Sequence, residues 1–121
     1  MGDRDEDIAA ADEERAWYAR GVETYLDASY RAGSRAMPSE FAGQFGTDPA
    51  SLCRTFQRLF NKTPLEYFRS QQLLYAAKLL RRSRLTVAQI SATTALGTRS
   101  NFFRIFSEQF GMTPEQYRKM R

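Results

Sequence analysis

Leu52, Thr55, Phe56 and Leu59 fall three and four residues apart, the spacing of one face of an α-helix. Phe102, Ile105 and Phe106 repeat that spacing further along the chain. The second run sits in the stretch RSNFFRIF, residues 99–106, whose three phenylalanines cannot share the centre of one stripe. Each helical residue turns by about 100°, so Phe102 and Phe106 take one face with Ile105 beside them. Phe103 then falls on a flank shared with Arg99, Ser100, Arg104 and Ser107. A phenylalanine among arginines and hydroxyls marks a surface with a task of its own.

The two runs belong to a repeat. Residues 54–67 read RTFQRLFNKTPLEY and residues 104–117 read RIFSEQFGMTPEQY, with six of fourteen positions identical at an offset of 50. Further upstream the offset becomes 49, pairing Phe41 with Ile90 and Gly46 with Ala95. The second copy therefore carries one extra residue in its turn. Each copy reads as helix, tight turn, helix, then a Thr-Pro helix start. In the first, Pro38 suits an opening helical turn, Gly46 a stop, and Asp48-Pro49 an N-cap followed by a first helical residue. In the second, TVAQISATTA forms the first helix, Leu96-Gly97 lies in the turn and Thr98 caps the next helix. Asn61 and Gly111 occupy matching places where a left-handed residue ends a helix. Two helices joined by a short turn form the unit that sets its second helix into a DNA major groove.

Between the copies, Thr63 caps a helix that starts at Pro64 and runs to about Ser83. About 20 residues at 1.5 Å each make a rod of roughly 30 Å, close to the ~34 Å between major grooves on one DNA face. An opening helix, residues 13–31, aligns Tyr18, Val22, Tyr25, Leu26 and Ser29 along one side. Trp17 lies off that stripe and is assigned to the core. The resulting plan is all-α: an acidic tail over 1–12, a first unit over 13–63, a linker helix over 64–83 and a second unit over 84–121.

Charge sharpens the picture. Residues 1–16 hold seven acids against two arginines, a net of −5, in a chain whose total is +4. The remainder carries +9, and a basic domain behind an acidic tail suits a polyanion partner. Enzyme chemistry finds little footing. The chain has no histidine and one cysteine, Cys53, and lacks a glycine-rich phosphate loop. No cofactor or metal is expected, and no secretory signal or membrane helix is apparent, so a cytoplasmic location is expected by elimination.

FAGQFGTDPASLCRTFQRLFNKTPLEYF, AAKLL (76–80) and FFRIFSEQFGMTPEQYR together resemble the DNA-binding domain of AraC/XylS-type transcription regulators. The likeness covers roughly residues 20–119. Its most specific part is Phe106-x-x-x-Phe110-Gly111-x-Thr113-Pro114-x-x-Tyr117-Arg118. The resemblance implies about seven helices, with two helix-turn-helix units bridged by one helix, binding adjacent major grooves of double-stranded DNA. The expected mode is a monomer on a bipartite site. At this length the chain resembles a stand-alone member or an excised domain. It departs from the family pattern at Ala95-Leu96, where Gly-Phe is usual, at Ser91 in place of Ala, and at Gln72 in place of Arg.

With Phe102, Ile105 and Phe106 inward, Arg99, Ser100, Phe103, Arg104 and Ser107 form the outward side of the second reading helix. The repeat maps these to Pro49, Ala50, Cys53, Arg54 and Gln57 in the first, and the family's base-contacting positions fall on the same places. Arginine can fork onto guanine, glutamine onto adenine, and apolar groups onto the thymine methyl. Phe103 is either such an apolar contact or an edge residue folded over the core. Cys53 is read as a small apolar filler of that surface rather than a redox sensor. Arg58, Lys62, Arg81, Arg82 and Arg84, with the helix starts at Thr63 and Thr113, are candidates for phosphate contact. The competing reading is a protein-interaction module, or a defective relative, that binds a partner regulator or RNA polymerase without reading DNA.

Overall fold

Thr-Pro and Asp-Pro steps punctuate the chain, and each opens a helix. A computed structural model describes residues 2–120, with side chains from Ile8 onward. Its described residues form seven helices: α1 (Gly2–Ala32), α2 (Pro38–Gln44), α3 (Pro49–Phe60), α4 (Pro64–Arg82), α5 (Val87–Thr94), α6 (Arg99–Phe110) and α7 (Pro114–Lys119). None of them is long and apolar enough to cross a membrane. Asp48 accepts a bond from the Ser51 amide to cap α3, and Thr98 does the same for α6 from Asn101. Reciprocal capping boxes open α4 (Thr63 with Glu66), α5 (Thr86 with Gln89) and α7 (Thr113 with Gln116). The helix α1 begins at Gly2, well before the expected residue 13. Its early acids favour the positive end of a helix, and Ala9, Ala10 and Ala11 are the best helix formers.

The chain forms two compact units: residues up to Ala28 with Ala36–Phe68, and Ser29–Arg35 with the chain from Arg69 on. The boundary thus falls inside α4. In unit one Val22, Tyr25 and Leu26 of α1 are buried with Phe41 and Ala42 of α2, Leu52, Phe56 and Leu59 of α3, and Phe68. Phe41 is central, its ring within 4.4–6.1 Å of those of Phe45, Phe68, Tyr25 and Phe56. Phe45 lies against α1 at Gly21, where an added Cβ would stand 2.4 Å from the ring. Trp17 is a correction to the sequence reading: it is 49% exposed, outside the core. Tyr18 and Phe45 meet its ring in edge-to-face pairs, with centroids 4.9 and 5.0 Å away.

Unit two is built around Leu73, Ala76, Ala77 and Leu80 of α4, Val87 and Ile90 of α5, Leu96, and Phe102, Ile105 and Phe106 of α6. The repeat holds in three dimensions within each unit. Phe41 and Ile90 are both fully buried, as are Phe56 and Phe106. Phe56, Phe60 and Tyr67 form an aromatic cluster, and so do Phe106, Phe110 and Tyr117. Asn61 and Gly111 end α3 and α6 in left-handed conformations at φ 55° and 71°.

The second turn shows where the extra residue went. Gly46 and Ala95 hold corresponding left-handed positions at φ 67° and 52°, and Gly97 adds a further positive φ of 91°. An alanine in this region costs about 1–2 kcal/mol, while glycine would raise unfolded-chain entropy by about 0.4–1 kcal/mol. Ala95→Gly is therefore expected to stabilise the chain by roughly 1 kcal/mol. The check is the urea midpoint at unchanged slope; an unmoved or lower midpoint would refute the strain at Ala95. Gln72, where the family carries arginine, is buried, and its Nε2 donates to the Thr94 carbonyl at 3.2 Å. The shorter amide thus still satisfies a carbonyl at the end of α5.

Candidate nucleic-acid interface

Each helix-turn-helix unit leaves one side of its second helix outside the core. On α3, Pro49, Ala50, Arg54 and Gln57 are exposed and Cys53 is half-buried. Arg54 Nη2 donates to Ser51 Oγ at 3.1 Å, and that hydroxyl donates to Asp48 Oδ2 at 2.8 Å. The Ser51 amide and hydroxyl together hold the Asp48 carboxyl below its ordinary range. An arginine-bearing face is thereby tied to the cap of its own helix.

On α6, Arg99, Ser100 and Arg104 are exposed, with Phe103 and Ser107 half-buried. Phe103 packs against the unit-two core, edge-on to Phe102 at 6.3 Å. The Arg99 guanidinium lies over its ring at 5.8 Å, a cation–π distance. So a phenylalanine among arginines has two uses here: one side covers the core, the other supports a cation. Arg104 donates to Asn101 Oδ1 at 2.6 Å and to Glu108 Oε1 at 3.1 Å. Arg54 and Arg104 are repeat equivalents, and each is bonded by the residue three positions before it.

The flanking cations are less uniform. Arg58 is ion-paired with Glu14 of α1, while the neighbouring Arg15 donates Nε to the Leu59 carbonyl at 2.9 Å. Lys62, Arg82 and Arg84 are exposed, and Arg81 lies 6.0 Å over the Tyr117 ring. The Thr63 and Thr113 amides already donate to Glu66 and Gln116 side chains, at 3.0 and 2.9 Å. Sequence reasoning missed Ser51, Asn101 and Glu108 as partners of the arginines. It also left Arg118 without a role; this side chain donates to the Leu80 and Leu85 carbonyls, closing the end of α4. The visible signal for the first pair was a small polar residue three places before the repeated arginine. Among the described residues, no group of three or more His, Cys, Asp or Glu side chains is placed to hold a metal ion.

Residues 41–120 match the family model for a helix-turn-helix domain. The chain belongs to the AraC-type helix-turn-helix family. Over 79 residues it is 33% identical to the uncharacterized HTH-type transcriptional regulator YdeC of Bacillus subtilis, covering 65% of this chain and 26% of that protein. Relatives of this kind are long: the chain spans about a quarter to a third of their length (26–36%). An AraC-type transcriptional regulator from Chromobacterium violaceum has the same fold, with a TM-score of 0.71 at 20% identity, covering 85% of this chain and 93% of that one. The DNA-binding domain of AdpA, a global transcriptional factor solved in complex with a target DNA, superposes with a TM-score of 0.68 at 19% identity over 80% of this chain and 88% of its own.

Proposed function

We propose that the chain is a sequence-specific DNA-binding transcription regulator that sets α3 and α6 into adjacent major grooves of a bipartite site. The observation that carries this reading is the repeated arginine, Arg54 and Arg104, exposed on the outer side of the second helix of each unit. Arginine forks onto guanine O6 and N7, and an exposed, pre-bonded arginine in a helix-turn-helix unit suits that use. Family membership and the likeness to a domain crystallised on its target DNA support it, as does the basic balance beyond residue 16. The repeat itself supplies two reading helices on one chain, so a monomer suffices, and the cytoplasm is its proposed place of work. Pro49, Ala50, Cys53 and Gln57 would line the first groove, and Arg99, Ser100, Phe103 and Ser107 the second. No catalytic step belongs to this reading.

Phosphate contacts fall to the exposed cations. Arg82→Ala is expected to weaken all duplexes alike and to lower the slope of log affinity against log salt by about 1. Titrations at several salt concentrations, on matched and mismatched duplexes, check both parts; a sequence-dependent loss would assign Arg82 to base reading instead. The reading as a whole is tested by selection from a random duplex library at near-physiological salt, followed by sequencing. Enrichment of a defined sequence is expected. Retention without enrichment would reduce the chain to a non-specific basic binder, and no retention would favour an interaction module for a partner regulator or RNA polymerase.

A further inference from the structure

We infer that Asn101 is a positioning residue that aims Arg104 at its base, an inference that rests on the DNA-reading function proposed above. The Asn101 carboxamide sits between two groups of opposite need. Its Nδ2 donates to the Leu96 carbonyl in the turn at 2.8 Å, and its Oδ1 accepts from Arg104 Nη2 at 2.6 Å. A carbonyl requires a donor and a guanidinium requires an acceptor, so only one orientation of the amide serves both. The turn therefore fixes the amide, and the amide fixes the arginine.

The absence of a side chain at Gly97 leaves room for this arrangement. At Gly97, with φ 91°, an added Cβ would stand 3.3 Å from Asn101 Nδ2, tighter than an ordinary contact. The first unit has no such link: Ser51 accepts from Arg54 at 3.1 Å but donates to its own cap residue, Asp48. Glu108 also bonds Arg104, yet that pair is 60% and 64% exposed and subject to screening by salt. The bond to Asn101 pairs the guanidinium with a neutral acceptor, so salt screens it less than it screens the ion pair. Long side chains lose rotamer freedom when they bind, and one already held loses less.

The test compares Asn101→Ala, Arg104→Ala and the double variant on the selected duplex and on one altered at the base pair that Arg104 reads. Asn101→Ala is expected to cut discrimination about two- to tenfold, the effect of releasing one long side chain. It should change nothing further in the Arg104→Ala background. Asn101→Ser, which copies the Ser51 arrangement, should restore part of the discrimination, and it carries the test if Asn101→Ala does not fold. In the free chain, nitrogen relaxation of the Arg104 Nε–H should report an ordered side chain that loosens in Asn101→Ala. An equal loss on every duplex, the same loss without Arg104, or an Arg104 equally mobile in both chains would overturn the positioning role. A wild-type chain that discriminates no duplex would overturn the DNA reading, while the relaxation measurement would still decide whether Asn101 orders Arg104.

Discussion

Arg104→Ala should weaken binding to the selected site by about 1–3 kcal/mol, roughly 5- to 150-fold in Kd. The loss should concentrate at one base pair, because a forked arginine discriminates there and contributes little elsewhere. Arg104 is exposed on α6, and its bonds go to Asn101 and Glu108 of the same helix. Removing it takes nothing from the core, so the melting temperature should barely move. Fluorescence anisotropy on duplexes varied one base pair at a time checks the claim. A uniform loss across all of them would make Arg104 a phosphate contact.

Phe41→Ala is expected to destabilise unit one by about 3–5 kcal/mol, the usual cost of emptying a fully buried phenylalanine site. Its ring touches four aromatic neighbours, Tyr25 of α1, Phe45 just after α2, Phe56 of α3 and Phe68 of α4, and none can collapse into the space without leaving the others. Because whole domains are stable by only about 5–15 kcal/mol, the first reading helix would lose most of its support. Trp17, the chain's one tryptophan, sits against Phe45 in the same unit and reports on it. A urea melt followed by tryptophan fluorescence should show the midpoint falling steeply. A change below about 1 kcal/mol would mean that the Phe41 site repacks and that its centrality is overstated.

Much of this fold is legible in local chemistry. Asp48, Thr98 and Thr113 announce helix starts because a side-chain oxygen satisfies an otherwise orphaned amide, and Asn61 and Gly111 announce ends through their tolerance of positive φ. The outward arginines follow from rotation alone, since three turns of helix leave little choice once the phenylalanines are inside. What periodicity cannot see is contact at long separation. Trp17 is half exposed, and its partner Phe45 stands at the end of a different helix, a contact that periodicity along α1 does not register. Arg58 is bound by Glu14, 44 residues away, and Gln72 by a carbonyl 22 residues away. The amides of Thr63 and Thr113 are a different case. T-x-x-E and T-x-x-Q are capping-box patterns, and they stand in the chain at 63–66 and 113–116. A phosphate using the Thr63 or Thr113 amide would have to displace the side chain already bonded there.

If both units read DNA, hydroxyl-radical footprinting on the selected duplex will show it. Two protected tracts centred about one helical turn apart, roughly 10–10.5 base pairs, on one face of the duplex are the predicted result. Arg54→Ala should open one tract to sequence change and Arg104→Ala the other. A single tract, unaltered by substitution in one of the two units, would contradict bipartite reading.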